Sequence, residues 1–94
     1  MSTYIIQNYQ TAKILGSTSS LTEARKKVYK LVDKHKRSRF AVAKVEGINS
    51  YGLGFAEYEE LEDGKKGILF QSYGKNGAYK GAYILYKNGT MKMY

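Results

Sequence analysis

The sequence predicts an α+β fold in one domain spanning residues 1–94. The expected order is β-β-α-β followed by an antiparallel β-meander, with one helix packed on a mainly antiparallel sheet. Three observations carry this. One segment has helical apolar spacing behind an N-capping pair. Short runs rich in β-branched and aromatic residues flank it on both sides. The second half is punctuated by glycine and by Asn-Gly, a strong short-range hairpin signal. With 94 residues, 43% hydrophobic and 26% charged, the chain is close to an ordinary globular domain and has enough apolar material for one modest core.

The elements follow in order. Tyr4–Asn8 and Thr11–Gly16 read as strands of a hairpin turning at Asn8-Tyr9-Gln10. Ser20 and Glu23 form a capping-box pair: the Ser20 oxygen takes a first-turn N–H and Glu23 reaches back. Leu21, Ala24, Val28, Leu31, Val32 and His35 then recur on one face, so a helix is expected over about Leu21–Lys36. Glu23–Lys27 and Asp33–Arg37 are spaced as i,i+4 pairs. Arg39–Val45 reads as a strand whose Ala41 and Ala43 are small enough for a helix to approach. Gly47–Gly54 reads as a loop, Phe55–Leu61 as an acidic strand, and Glu62–Lys66 as a turn around Asp63-Gly64. Gly67–Ser72 is expected as a buried strand and Tyr73–Gly81 as a glycine-rich connection. Ala82–Tyr86 and Thr90–Tyr94 flank Asn88-Gly89. A two-residue loop there pairs Tyr86 with Met91 and Ile84 with Met93. Ala82, Ile84, Tyr86, Met91 and Met93 would then face the core, with Tyr83, Leu85, Lys87, Thr90, Lys92 and Tyr94 on the other side. Lys75-Asn76-Gly77 and Lys87-Asn88-Gly89 echo each other twelve residues apart, as successive hairpin turns do.

Several function classes are excluded by composition. Without cysteine there is neither a disulfide scaffold nor a thiolate metal site, and a single histidine, His35, makes no zinc cluster. His35 falls on the apolar helix face, which suits packing rather than catalysis. The acidic residues Glu57, Glu59, Glu60, Glu62 and Asp63 lack the spacing of a calcium loop. The glycines of residues 47–54 lack the Lys-Ser/Thr of a phosphate-binding loop. No catalytic, cofactor or metal site is therefore assigned, and the expectation is a non-enzymatic protein. The first ten residues show no secretory signal, and no apolar run reaches the roughly 18 residues of a membrane span. A cytoplasmic location is expected.

Charge points to the partner. The net charge is +8. Residues 21–44 carry nine bases and two acids, residues 46–63 six acids and no base, and residues 64–94 six bases and no acid. Such blocks favour a polyanion. Nine of the thirteen aromatic residues lie in residues 51–94, interleaved with lysine. Aromatic faces stack bases and lysines hold phosphates, which is the chemistry of nucleic-acid binding. The expected binding residues are Lys26, Lys30, Lys34 and Arg37 on the helix, with Lys75, Lys80, Tyr83, Lys87, Lys92 and Tyr94 in the meander. Thirteen of the sixteen bases are lysine, which favours phosphate contact over base-specific readout. The alternative is a protein-interaction module, an inhibitor or accessory subunit, that takes an acidic partner or adds a strand at a sheet edge. Association of copies through a sheet edge or through the oppositely charged blocks is compatible with either.

Overall fold

The structure, a computed structural model, describes residues 2–62 and 64–94. It is the expected α+β domain. The strands are β1 (Thr3–Asn8), β2 (Ile14–Thr18), β3 (Phe40–Glu46), β4 (Asn49–Glu60), β5 (Lys66–Tyr73), β6 (Tyr79–Leu85) and β7 (Met91–Met93), with helix α1 (Leu21–Lys34) between β2 and β3. All strand pairs are antiparallel, in the spatial order β2-β1-β3-β4-β5-β6-β7.

The helix begins as its sequence dictates: Ser20 Oγ accepts the Glu23 N–H at 3.3 Å. The reciprocal half of the capping box is not made. Thr18 Oγ1 accepts the Ser20 N–H, which leaves Glu23 free to pair with Lys26 at 3.0 Å. Asp33 likewise pairs with Lys36. Both contacts are i,i+3, in place of the expected i,i+4 pairs with Lys27 and Arg37. The helix stops at Lys34. His35 is the C-cap and is exposed, with its ring centroid 6.2 Å from that of Phe40.

Ala24, Val28 and Val32 are fully buried against Ile6 of β1, Phe40 and Val42 of β3, Ala56 of β4, and Ile68 and Phe70 of β5. Small helix residues let the helix sit close to the sheet. Each large apolar side chain removed from water here contributes about 1.5–3 kcal/mol. Because side chains alternate along a strand, burial of Phe40 and Val42 turns Ala41 and Ala43 away from the helix. The two alanines therefore line the second face of the sheet, not the helix-packing face expected for them.

Two strands differ from expectation for local reasons. Asn8 Oδ1 accepts the N–H groups of Gln10 and Thr11, at 2.9 and 3.0 Å. This side-chain-capped loop delays β2 to Ile14. The expected loop over 47–54 is mostly strand. The turn closes at Gly47-Ile48, and β4 then pairs with β3 from Glu46↔Asn49 to Ala43↔Gly52, past a bulge at Leu53.

The meander turns share one geometry. The Gly77 N–H donates to Gly74 O and the Gly74 N–H to Ala78 O; the Gly89 N–H donates to Tyr86 O and the Tyr86 N–H to Thr90 O. Gly77 and Gly89 have φ of 83° and 86°. These are three-residue loops closing on a left-handed glycine. Leu61, Gly64 and Lys65 repeat the same bonds, although Asp63 of that expected turn lies outside the described residues. The extra loop residue changes the last hairpin. Leu85 pairs with Met91, Ile84 with Lys92, and Tyr83 with Met93. Tyr83 stands opposite the buried Phe70, so Tyr83 and Leu85 share the helix-facing side. Ile84 and Lys92 lie on the other. This reverses the expected assignment for Tyr83, Leu85 and Ile84, whereas Met91 and Met93 keep the helix-facing side expected for them, with Met91 packed on the core.

Candidate nucleic-acid interface

No described helix covers the second face of the sheet. Across it runs a row of aromatic rings. Tyr9 lies 4.5 Å from Phe55, Phe55 lies 6.3 Å from Tyr73 in a stacked arrangement, and Tyr73 meets Tyr79 edge-on at 5.3 Å, all between centroids. The register explains the row. Phe55 is opposite Ala41 on one side and Gln71 on the other, and Tyr73 is opposite Tyr79. Tyr9 is brought in because its N–H donates to Arg39 O. Tyr9 and Tyr79 are 49% and 56% exposed, so the row presents ring surface to solvent at both ends.

A polar network underlies the rings. Tyr79 donates its hydroxyl proton to Gln71 Oε1 at 2.6 Å, and Gln71 Nε2 donates to Glu57 Oε2 at 3.2 Å. Arg39 Nε lies 3.5 Å from Glu57 Oε1, with the guanidinium 6.0 Å above the Phe55 ring. These bonds fix the orientation of Tyr79 and place a cation on the row. On its other side Lys75 Nζ stands 5.5 Å over the Tyr51 ring. The Tyr51 hydroxyl donates to Glu46 at 3.1 Å, and Lys44 pairs with Glu46 at 3.0 Å.

The carboxylates near the face divide in two. Hydrogen bonds from Lys44 and Tyr51 hold the Glu46 carboxyl below its ordinary range. A hydrogen bond to Glu57, with some burial and the charge of Glu57, pushes Glu59 up. Glu57, Glu59 and Glu60 cluster at one end of β4, with Glu57 paired to Arg39, while Lys75 and Lys44 outnumber Glu46 at the other. A polyanion crossing the face is steered toward the second.

A cleft of about 320 Å³ opens beside the row, walled by Tyr9, Phe55 and Tyr73, floored by Ala41, Gly52 and Gly54, and rimmed by Lys75. No three acidic or imidazole groups converge to hold a metal ion among the described residues. No described helix is long and apolar enough to cross a membrane.

The residues expected to bind nucleic acid do not form one site. Lys26, Lys30, Lys34 and Arg37 follow the helix, and Lys26 is engaged by Glu23. Lys87 is exposed in the β6–β7 turn, whose Gly89 packs on Thr22 and Lys26 of the helix. Tyr83 is half-buried on the helix-facing side. The Tyr94 hydroxyl accepts the Glu62 N–H at 2.9 Å, which ties the last residue to the β4–β5 turn. Lys80 is exposed on β6, and Lys92 lies on the second face. Only Lys75 stands at the aromatic row. Sequence reasoning missed Tyr9, Phe55, Tyr73, Tyr79 and Arg39. Phe55 falls in an expected strand whose outward face the sequence does not set, and Tyr73 and Tyr79 fall in the expected glycine-rich connection, which is strand at both ends.

Neither a family model, nor a curated protein, nor a solved structure matches the chain.

Proposed function

We propose that this protein is a non-enzymatic binder of single-stranded nucleic acid, working in the cytoplasm without a cofactor. One observation carries the reading: the row Tyr9–Phe55–Tyr73–Tyr79 on a sheet face that no helix covers, with Arg39 and Lys75 beside it. Bases stack on such rings whatever their identity, and Lys75 holds a neighbouring phosphate while Arg39, shared with Glu57, lies against the Phe55 ring. A duplex hides its base faces, so a single strand is the better fit. The test is fluorescence anisotropy with a labelled oligonucleotide at low salt. Tyr79→Ala should weaken binding by about 1–3 kcal/mol, the usual worth of one stacked base. Wild-type protein that leaves the oligonucleotide free at low salt would end the reading.

A second reading has its own observation. β2 is an edge strand with Ile14 60% exposed, and Leu15 borders a groove with Lys27 and Lys30. An acidic partner strand would pair with this edge and place carboxylates on the lysines. Chemical-shift changes confined to β2 and α1 on adding an acidic β-forming peptide would support it. A second copy of the chain at this edge would instead appear as dimerisation without peptide.

A further inference from the structure

Resting on that reading, we infer that the cleft beside the aromatic row receives one base of the bound strand, turned out of line with its neighbours, and so sets the register of binding. Three aromatic residues line it: Tyr9, Phe55 and Tyr73. The floor carries almost no side chain. Ala41 contributes one methyl group and Gly52 none, and a Cβ built on Gly52 would meet no atom within 4 Å. The space above Gly52 is therefore open, not filled by protein. Its volume, about 320 Å³, lies at the small end of ligand pockets and suits a planar heterocycle rather than a larger ligand. Lys75 stands at the rim, where it reaches the phosphate next to an inserted base. Arg39 across the row is shared with Glu57, which leaves Lys75 as the cation at the rim, so the backbone runs along the Lys75 side. A row of exposed rings alone would let a strand slide, because every base stacks equally. A recess for a single base gives it a stop.

The test uses a short oligothymidylate, the same strand fully abasic, and abasic strands with one base restored. The first restored base should recover more affinity than each base added after it. Recovery in equal increments with each added base would overturn the recess and leave the stacking row. Gly52→Val adds bulk to the cleft from a position where the new Cβ meets no protein atom within 4 Å. It should weaken oligothymidylate binding by about tenfold, within the range for one stacked base, and leave abasic-strand affinity and melting temperature unchanged. If Gly52→Val binds oligothymidylate like wild type while Tyr79→Ala binds weakly, the recess is wrong and the platform stands. If wild type binds no strand at low salt, both fall together.

Discussion

Two glutamates show how single side chains set the pH response. Glu46 is held below its ordinary value of 4.5 by hydrogen bonds from Lys44 and Tyr51. A depressed folded-state value contributes stability above 4.5, and that contribution is lost as pH falls through the folded value. Glu59 behaves in the opposite sense, because its hydrogen bond to Glu57 raises it. Its contribution is complete below 4.5 and is lost as pH rises through the raised value, after which the ionised side chain is repelled by Glu57. Glu46→Gln should therefore lower the melting temperature at neutral pH, with the difference closing below pH 4.5. Glu59→Gln should raise it at neutral pH, since the amide keeps a hydrogen bond to Glu57 without the charge. Melting curves from acid to neutral pH check both, and shifts of the same sign at neutral pH would contradict the assignment.

At the scale of the element, the helix was readable because its code is local. Ser20 caps, the apolar stripe repeats within one turn, and tertiary contacts only had to agree. The turns at Gly77 and Gly89 were also readable, but the loop length was not. Asn-Gly serves two-residue and three-residue loops alike, and one extra residue changes which side chains of β6 share a face with those of β7: Met91 stays on the core side and the β6 assignment reverses. That is why Tyr83 was expected on a binding face and lies opposite Phe70 instead. The aromatic row was illegible for a different reason. Tyr9, Phe55, Tyr73 and Tyr79 are far apart in sequence and meet only through the registers of β3, β4, β5 and β6. Tyr83→Ala tests this placement. It should destabilise the fold, toward the lower end of the about 3–5 kcal/mol typical of core aromatics because the ring is half-buried, and leave strand affinity unchanged in the folded protein. Normal stability with weakened binding would return Tyr83 to the interface.

For the whole molecule, the fold decides how much of the +8 charge one ligand can reach. If both basic blocks faced the same way, a strand would make four to six phosphate contacts, and log K would fall against log salt with a slope of about −3 to −4. The sheet separates them. Lys30 and Lys34 belong to the helix side, while Lys75 and Lys92 lie on the side of the rings and Arg39 there is already paired with Glu57. A strand on the aromatic row therefore neutralises two or three phosphates, and the slope should be about −1.4 to −2.1. Stacking, which is nearly independent of salt, supplies the rest of the affinity. Lys75→Gln should make the slope shallower by about 0.7, the share of one single-strand contact. Lys30→Gln with Lys34→Gln should leave it unchanged, because those side chains sit behind the sheet. A wild-type slope near −4 that collapses in the helix double variant would move the ligand to the helix side and detach the aromatic row from binding.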